Sequence, residues 1–192
     1  MAQSIRCFVA VPLDDDVIEA IADVSSRLRG MLDVPLKWVS PAAMHITVKF
    51  LGDVPVSQLL EVTDVVRDAA ADADPFPLPP RGLGAFPSPR RPRTLIVSLD
   101  DPGAKMSRVA ARVEAGVKKL GYPPEGRRFS AHITLARAPR DGRVPSVEGA
   151  FAATDTDGLR EVWVDQLWVM QSELTPRGAV YTPMAKLRFA EG

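Results

Sequence analysis

The chain has 192 residues and equal numbers of basic and acidic side chains, 24 Lys and Arg against 24 Asp and Glu. That length suits one compact domain, or at most two closely packed lobes. Hydrophobic residues make up 46% and charged residues 25% of the chain, which is the composition of an ordinary globular protein and excludes a disordered one. Because the net charge is zero, no overall field attracts the molecule to nucleic acid or acidic lipid. Any site for a polyanion must be a local patch.

The single cysteine, Cys7, lies within the apolar run 5–11. This setting predicts a buried structural thiol and favours a reducing compartment. The run is far shorter than the roughly 20 apolar residues that a membrane span needs, and no signal-peptide pattern follows it. We therefore expect a cytoplasmic protein that does not contact a membrane.

The first predicted elements are a strand and a helix. Residues 5–12 form a strand that ends at proline, and the carboxylates of 14–16 supply the cap and first turn of a helix that runs to about Arg29. Gly30 is the expected end of this helix.

The rest of the chain continues the mixture of strands and helices. Helices are predicted over 57–73 and 105–120, with Gly121 closing the second, and strands over 44–51, 94–99, 129–137, 162–171 and 180–189. Seven of the 18 prolines fall between Pro75 and Pro92, which excludes a regular helix there and permits only edge strands and turns. The order of elements predicts an α+β fold.

The two histidines of the protein, His45 and His132, each begin the tripeptide His-Ile-Thr. The two tripeptides lie 87 residues apart, in similar strands. Residues i and i+2 of a strand share a face, so each motif projects an imidazole beside the hydroxyl of Thr47 or Thr134, while the isoleucine enters the core. If the two strands face one another across a cleft, this inventory suits a phosphate group.

The chemistry that this pattern favours is acid–base catalysis at a phosphodiester. A neutral imidazole takes a proton from the attacking water, and an imidazolium gives a proton to the leaving alkoxide. The threonine hydroxyls can donate to the non-bridging oxygens. We expect no metal ion or other cofactor, because two histidines on separate strands and one distant cysteine lack the spacing of a zinc site. The segment GLGAF at 82–86 lacks the lysine of a phosphate-binding loop.

The segments MHITVKFLGDV at 44–54 and FSAHITLAR at 129–137 resemble the signature of the two-histidine phosphoesterases. Within that superfamily they are similar to the LigT-like RNA 2′,3′-cyclic phosphodiesterases, historically called 2′-5′ RNA ligases. The flanking segments RCFVAVPL, KWVSPAAMH, GLGAFPSPRRPRTLIVSL and LWVMQSEL extend the resemblance to nearly the whole chain. One departure is Ala131, where the family more often has proline, and it should affect strand entry rather than chemistry.

The resemblance implies a single two-lobed domain over 1–192, with two antiparallel sheets and flanking helices around a central cleft. It implies metal-independent hydrolysis of an RNA 2′,3′-cyclic phosphate end to a 2′-phosphomonoester, with reversible 2′-5′ RNA ligation as a second activity that the resemblance leaves open. His45 would protonate the leaving 3′-oxygen, His132 would activate water, and Thr47 and Thr134 would bind the phosphate oxygens.

The resemblance also assigns Arg137 to phosphate contact and Phe50 to base stacking. Strict strand alternation opposes both assignments, because it places Phe50 on the apolar face and Arg137 away from the histidine face. We expect these residues to lie where a strand ends or bulges. By the same alternation Lys49 shares the face of His45 and is a candidate contact for RNA phosphate.

Several alternatives remain open at this stage. An enzyme of the same fold could act on another cyclic or 2′-5′ linked nucleotide, and a non-catalytic module could bind RNA ends, although binding alone could use Arg or Lys instead of histidine. The expected partner is RNA or a nucleotide with a cyclic phosphate end, and the expected state is a monomer. The arginines between 81 and 93, namely Arg81, Arg90, Arg91 and Arg93, are either a rim for a polynucleotide or solvated loop residues.

Overall fold

A computed structural model describes residues 3–140, 142–175 and 178–190. In chain order its elements are β1 (Ser4–Val11), α1 (Asp15–Met31), β2 (Lys37–Trp38), β3 (Ile46–Pro55), α2 (Leu59–Ala71), β4 (Phe76–Leu78), β5 (Pro80–Ser88), β6 (Arg91–Leu99), α3 (Lys105–Lys119), β7 (His132–Arg137), α4 (Glu148–Ala153), β8 (Val162–Val164), β9 (Gln166–Thr175) and β10 (Gly178–Arg188). The proline-rich segment contains strands and turns, as predicted.

Eight of the strands form one antiparallel sheet. Its order is β10-β9-β1-β3-β7-β6-β5, and the short β2 pairs with β7, while β4 and β8 form a separate two-stranded sheet. The predicted α+β class with two antiparallel sheets is confirmed, although the two sheets differ greatly in size. Strand β7 begins at His132, and β3 begins directly after His45. These two strands are neighbours at the centre of the large sheet.

The backbone pairing between β3 and β7 is limited, among the described residues, to one residue pair, Ile46 with Ile133. Each of these strands pairs over a longer stretch with its other neighbour, β1 or β6. The large sheet is therefore two antiparallel halves that meet at a single point, and the histidine motifs lie at that point.

One contiguous hydrophobic core draws on both halves of the sheet and on the helices. Fully buried members include Val9, Ile46, Ile133 and Leu167, and burial of each such side chain contributes about 1.5–3 kcal/mol. Helices α2 and α3 pack on each other, with α2 against β9 and β10 and α3 against β3. The assignment of the chain to one two-lobed domain stays a prediction.

The predicted structural role of Cys7 agrees with its place in this core. Its side chain is buried, and burial raises the pKa of the thiol to about 11, so the nucleophilic thiolate is disfavoured. Among the described residues, no helix has the length and apolar character that a membrane crossing requires.

Several element boundaries differ from the sequence predictions. Helix α1 continues through Gly30 to Met31 and ends at Leu32, whose backbone is extended. Gly121 does end α3 with a left-handed φ of 93°. The predicted strand over 162–171 is divided into β8 and β9, and the short helix α4 was not predicted.

Candidate active site

The polar face of the sheet that carries both histidine motifs, here called the cleft, is built around the single backbone pair that joins β3 to β7. Ile46 and Ile133 are directly paired and both are fully buried, so the residues on either side of them must face the opposite surface of the sheet. Continuing this antiparallel register by one residue in each direction places His45 opposite Thr134 and Thr47 opposite His132. The four side chains that share this surface are those of His45, Thr47, His132 and Thr134.

Both imidazoles are oriented by the same kind of backbone hydrogen bond. Nδ1 of His45 lies 2.9 Å from the carbonyl oxygen of Ala43, and Nδ1 of His132 lies 2.7 Å from that of Ser130. Because a carbonyl oxygen only accepts, Nδ1 is the donor in both rings. In the neutral imidazoles Nε2 is then the free base, and Nε2 of His45 lies 3.0 Å from the hydroxyl oxygen of Thr47.

The environment lowers the pKa of both histidines from 6.5. Burial is the largest cause in each case, and the cationic Arg137 lowers both pKa values further. His132 also lowers the pKa of His45, which places the two rings within electrostatic reach of one another. The backbone hydrogen bonds act in the opposite direction and raise both pKa values.

A bulge in β3 explains why Phe50 faces the cleft. Consecutive residues of β1 pair with Lys49 and Thr47, so Val48 is an extra residue in β3. This insertion reverses the alternation beyond it, and Phe50 returns to the face of Thr47 with 54% of its surface exposed. The assignment of Phe50 to the apolar face by strict alternation is wrong for this reason.

An equivalent bulge in β7 brings Arg137 to the cleft. Consecutive residues of β6 pair with Ala136 and Thr134, which leaves Leu135 as the extra residue. The side chain of Arg137 therefore lies on the face of Thr134, and its Nη2 is 3.4 Å from the threonine hydroxyl. Both bulges immediately follow the threonine of a His-Ile-Thr motif, and the expectation that bulges resolve the alternation is confirmed.

The prediction that Lys49 shares the face of His45 is wrong. The same bulge directs Lys49 to the back of the sheet, where it is 3% exposed. Its Nζ lies 2.9 Å from a carboxylate oxygen of Glu114 and 2.7 Å from the carbonyl oxygen of Pro123, and Glu125 is 3.7 Å away. Lys49 therefore joins β3 to α3 and the loop after it, and it cannot contact RNA in this position.

Sequence reasoning missed the aromatic rings that support the histidines. The ring of His45 contacts Phe8 of β1 at 4.9 Å and Tyr181 of β10 at 5.2 Å, measured between centroids. The ring of His132 contacts Phe86 of β5 at 5.0 Å, edge to face. These residues come from strands distant in sequence, and nothing in the local pattern of Phe8, Phe86 or Tyr181 marks them.

The arginines between 81 and 93 are partly engaged within the protein. Arg81 lies 3.8 Å from Asp100, and Arg90 lies 3.1 Å from Glu148. Arg93 donates to three backbone carbonyl oxygens of the loop after β7. Arg81, Arg90 and Arg93 therefore have partners within the protein and are not simply solvated loop residues.

The donor set of the cleft consists of imidazoles, hydroxyls and a guanidinium. Within the described ranges, neither histidine pairs with a carboxylate, and no group of three or more His, Cys, Asp or Glu side chains is arranged to hold a metal ion. Ala131, which departs from the resemblance, is buried, and its carbonyl accepts a hydrogen bond from Leu99. It lies at the entry to β7, as expected.

Fold and cleft together define a phosphoesterase with two histidine motifs. The sequence matches the LigT like phosphoesterase family over residues 11–96 and 97–181, and the chain belongs to this family. The two matched segments are almost equal in length, and each contains one His-Ile-Thr motif. The boundary between the matched segments falls within β6, so each segment contributes strands to both halves of the sheet.

Relatives and solved structures agree with this assignment. The chain is 31% identical over 187 residues to the RNA 2′,3′-cyclic phosphodiesterase of Methanothermobacter thermautotrophicus, covering 96% of this chain and 98% of that protein. It is 33% identical over 176 residues to the enzyme of the same name from Archaeoglobus fulgidus, covering 92% and 96%. The crystal structure of TT0787 of Thermus thermophilus superposes with a TM-score of 0.77 at 30% identity, covering 96% and 97% of the two chains. Escherichia coli LigT in apo form shares the fold, with a TM-score of 0.75 at 18% identity and coverage of 98% and 99%.

Proposed function

We propose that the protein hydrolyses the 2′,3′-cyclic phosphate at an RNA end to a 2′-phosphomonoester, with His45 and His132 as the acid and base and without a metal ion. The observation that carries this proposal is the placement of both His-Ile-Thr motifs on one surface around the Ile46–Ile133 pair. Relatives of similar length carry the name RNA 2′,3′-cyclic phosphodiesterase, which supports the choice of substrate.

In this mechanism each histidine uses Nε2. His132 accepts a proton from water at Nε2 while its Nδ1–H remains bonded to the carbonyl of Ser130, which stabilises the imidazolium that forms. The water oxygen bonds to phosphorus, and the bond from phosphorus to the 3′-oxygen breaks. His45 gives its Nε2 proton to that oxygen, and the phosphate stays on the 2′-oxygen.

The acid must be protonated when substrate is bound, although its pKa is lowered in the free protein. A cyclic phosphodiester carries one negative charge, and an anion beside an imidazole favours the imidazolium. Substrate therefore raises the pKa of His45 as it enters. Thr47 accepts from or donates to Nε2 as the ring changes protonation state, because its hydroxyl oxygen is 3.0 Å away.

Thr47, Thr134 and Arg137 are the proposed ligands of the non-bridging phosphate oxygens. Their charge must be stabilised as phosphorus becomes five-coordinate, and one preorganised donor of this kind contributes about 10²–10³-fold in rate. Two observations support this role for Arg137: the bulge in β7 directs its side chain to the cleft, and its Nη2 contacts the hydroxyl of Thr134.

Phe50 is the proposed platform for the terminal base. Its ring is 54% exposed on the cleft face and is backed by Phe8, with 6.1 Å between ring centroids. Stacking of a base on such a ring is worth about 1–3 kcal/mol and is tolerant of base identity.

The proposal also includes 2′-5′ ligation. An RNA 5′-hydroxyl can occupy the position of the attacking water, and the same two proton transfers then join it to the 2′-phosphate. Action as a monomer in the cytoplasm stays a prediction.

The test is turnover of a substrate panel in excess EDTA. The panel contains 2′,3′-cyclic mononucleotides, oligoribonucleotides with a cyclic phosphate end, 3′,5′-cyclic nucleotides and 2′-5′ linked dimers, and the product is identified by chromatography. We expect the 2′,3′-cyclic phosphates to be hydrolysed, with the 2′-monophosphate as their only product.

Three outcomes would contradict this proposal. Formation of only the 3′-monophosphate would reverse the assignment of the leaving oxygen. Loss of activity in EDTA and its return with a divalent ion would show that a metal is needed. Binding of the RNA ends without turnover would favour the non-catalytic module.

A further inference from the structure

A basic cavity lies at the end of β6, outside the histidine cleft. Its volume is about 420 Å³, and four arginines line it: Arg90, Arg91, Arg93 and Arg143. The rest of its described wall is formed by glycine, proline, valine and serine, with no acidic residue among them. In a protein whose net charge is zero, this is a local concentration of positive charge that an anion would neutralise.

The four arginines have different roles in the cavity wall. Arg93 donates at 2.7, 3.0 and 2.7 Å to the carbonyl oxygens of Gly142, Pro139 and Arg140, so it fixes the loop that forms the far wall. Arg90 is paired with Glu148. For Arg91 and Arg143, the described part of the chain contains no ion pair or side-chain hydrogen bond partner, and both guanidinium groups are available to a ligand.

The cavity continues the surface on which the cleft lies. Thr94 of β6 is paired with Arg137 of β7, at the end of the cleft. Consecutive residues of β5 pair with Thr94 and Pro92, so Arg93 is an extra residue in β6. This third bulge returns Arg91 to the face of Thr94 and Arg137. Arg91 is three residues from Thr94, or about 10 Å along the strand.

We propose that this cavity binds the backbone phosphates of an RNA chain immediately upstream of the cyclic phosphate end. The inference rests on the proposed function, and it defines the substrate class as oligoribonucleotides rather than mononucleotides. Arg91 and Arg143 present planar guanidinium groups, which bind phosphate oxygens in a bidentate manner. With the terminal phosphate between the histidines, the chain leaves the cleft past Arg137 and its phosphates reach Arg91 and Arg143.

The test compares the wild-type protein with the double variant Arg91→Gln, Arg143→Gln. We measure kcat/KM for 2′,3′-cyclic AMP and for RNAs of two, three and six nucleotides that end in a cyclic phosphate, each over a range of salt concentrations. In the wild type kcat/KM should rise with RNA length and then level off. The double variant should lose at least about tenfold on the hexamer at low salt and keep its kcat/KM on 2′,3′-cyclic AMP within about twofold.

The salt dependence of kcat/KM measures the same arginine–phosphate interactions independently. The slope of log kcat/KM against log salt should become shallower by about 0.7 for each phosphate that the variant no longer binds. The matched control is Arg29→Gln, Arg188→Gln, which removes the same charge from two exposed positions in α1 and β10 and should behave as the wild type. The variant Arg91→Lys, Arg143→Lys should retain most of the slope.

A binding measurement separates this inference from the proposed function. Fluorescence anisotropy of a labelled hexanucleotide that ends in a 2′-phosphate needs no turnover, and the Gln double variant should bind it at least about tenfold more weakly. If the wild type hydrolyses cyclic phosphates but RNA length, salt and the double substitution have no effect, the cavity is not an RNA site and the proposed function stands. If no cyclic phosphate is hydrolysed, the proposed function fails, and unchanged binding by the variant would overturn the inference as well.

Discussion

His45 and His132 are held by the same hydrogen bond from Nδ1 to a carbonyl two residues earlier, at 2.9 and 2.7 Å. The bond fixes the ring orientation and leaves Nε2 of each ring to exchange the proton that the proposed mechanism requires. Either ring could serve as acid or base in this geometry. Their division of labour must therefore come from the position of the substrate rather than from a difference in tautomer.

The lowered pKa values predict a pH profile for kcat/KM. Both shifts are downward from 6.5, so both imidazoles are neutral in the free enzyme above that pH. The proposed mechanism needs one protonated ring, and kcat/KM should therefore be maximal below pH 6.5 and decrease as pH rises through the higher apparent pKa of the pair. The alkaline limb of kcat should lie at higher pH, because bound phosphate favours the imidazolium. A kcat/KM maximum above pH 7 would contradict this.

Arg137 connects the pH profile to phosphate binding. Its charge lowers the pKa of both histidines, so Arg137→Gln should raise both pKa values and move the kcat/KM profile to higher pH. The same change should reduce the maximum by about 10²-fold, because one donor to the phosphate is lost. Arg137→Lys keeps the positive charge, so the pH of the kcat/KM maximum should change little, whereas the maximal kcat/KM should still decrease. A Gln variant with reduced activity but an unmoved profile would show that Arg137 acts only as a phosphate ligand.

At the scale of elements, the bulges determine which side chains reach the cleft. The alternation predicted for the two motif strands is correct up to Thr47 and Thr134, and it is reversed after Val48 and Leu135. A bulge is defined by the pairing of two residues on one strand with one residue on its neighbour, so the sequence of one strand alone contains little information about it. For this reason strand alternation alone predicted the motifs but gave the wrong direction for Lys49, Phe50 and Arg137. The family resemblance gave the cleft position of Phe50 and Arg137, and nothing in the sequence corrected that of Lys49.

The buried position of Lys49 predicts a measurable loss of stability on substitution. Lys49→Met keeps the apolar stem but leaves the carboxylate of Glu114 and the carbonyl of Pro123 without their cation. Breaking a buried ion pair from one side costs about 3–5 kcal/mol. Because Glu114 is 29% exposed, water compensates part of this loss, and we expect a decrease of about 2 kcal/mol in the free energy of unfolding, measured by urea denaturation.

A matched control distinguishes this effect from a simple loss of charge. Arg67 pairs with Asp64 at the surface, with 53% and 50% of the two side chains exposed, and Arg67→Met should cost less than about 1 kcal/mol. The double variant Lys49→Met, Glu114→Gln should lose less stability than the two single variants added together. Equal stability of Lys49→Met and the wild type would show that the buried pair contributes nothing net.

At the scale of the whole molecule, the two halves of the large sheet are joined by one backbone pair between β3 and β7, and each half supplies one histidine and one threonine. The duplicated tripeptide marked the four residues as a candidate site, because repetition of a rare pattern needs no knowledge of the pairing, and the family resemblance implied that the two motifs share one cleft. The rings of Phe8, Phe86 and Tyr181 come from three further strands. Their place beside the histidines depends on the order of strands in the sheet, which the sequence pattern does not specify.

The most direct test of the paired-histidine mechanism is the dependence of each histidine variant on the leaving group. We measure kcat/KM of the wild type, His45→Ala and His132→Ala on a cyclic-phosphate RNA and on a nitrophenyl phosphodiester. On RNA each substitution should cost about 10²–10⁴-fold, and the double variant should lose less than the product of the two. The nitrophenyl substrate should partly restore His45→Ala, because its leaving group needs no acid, and should not restore His132→Ala. Near wild-type activity of His45→Ala on RNA, or rescue of His132→Ala instead, would contradict the account.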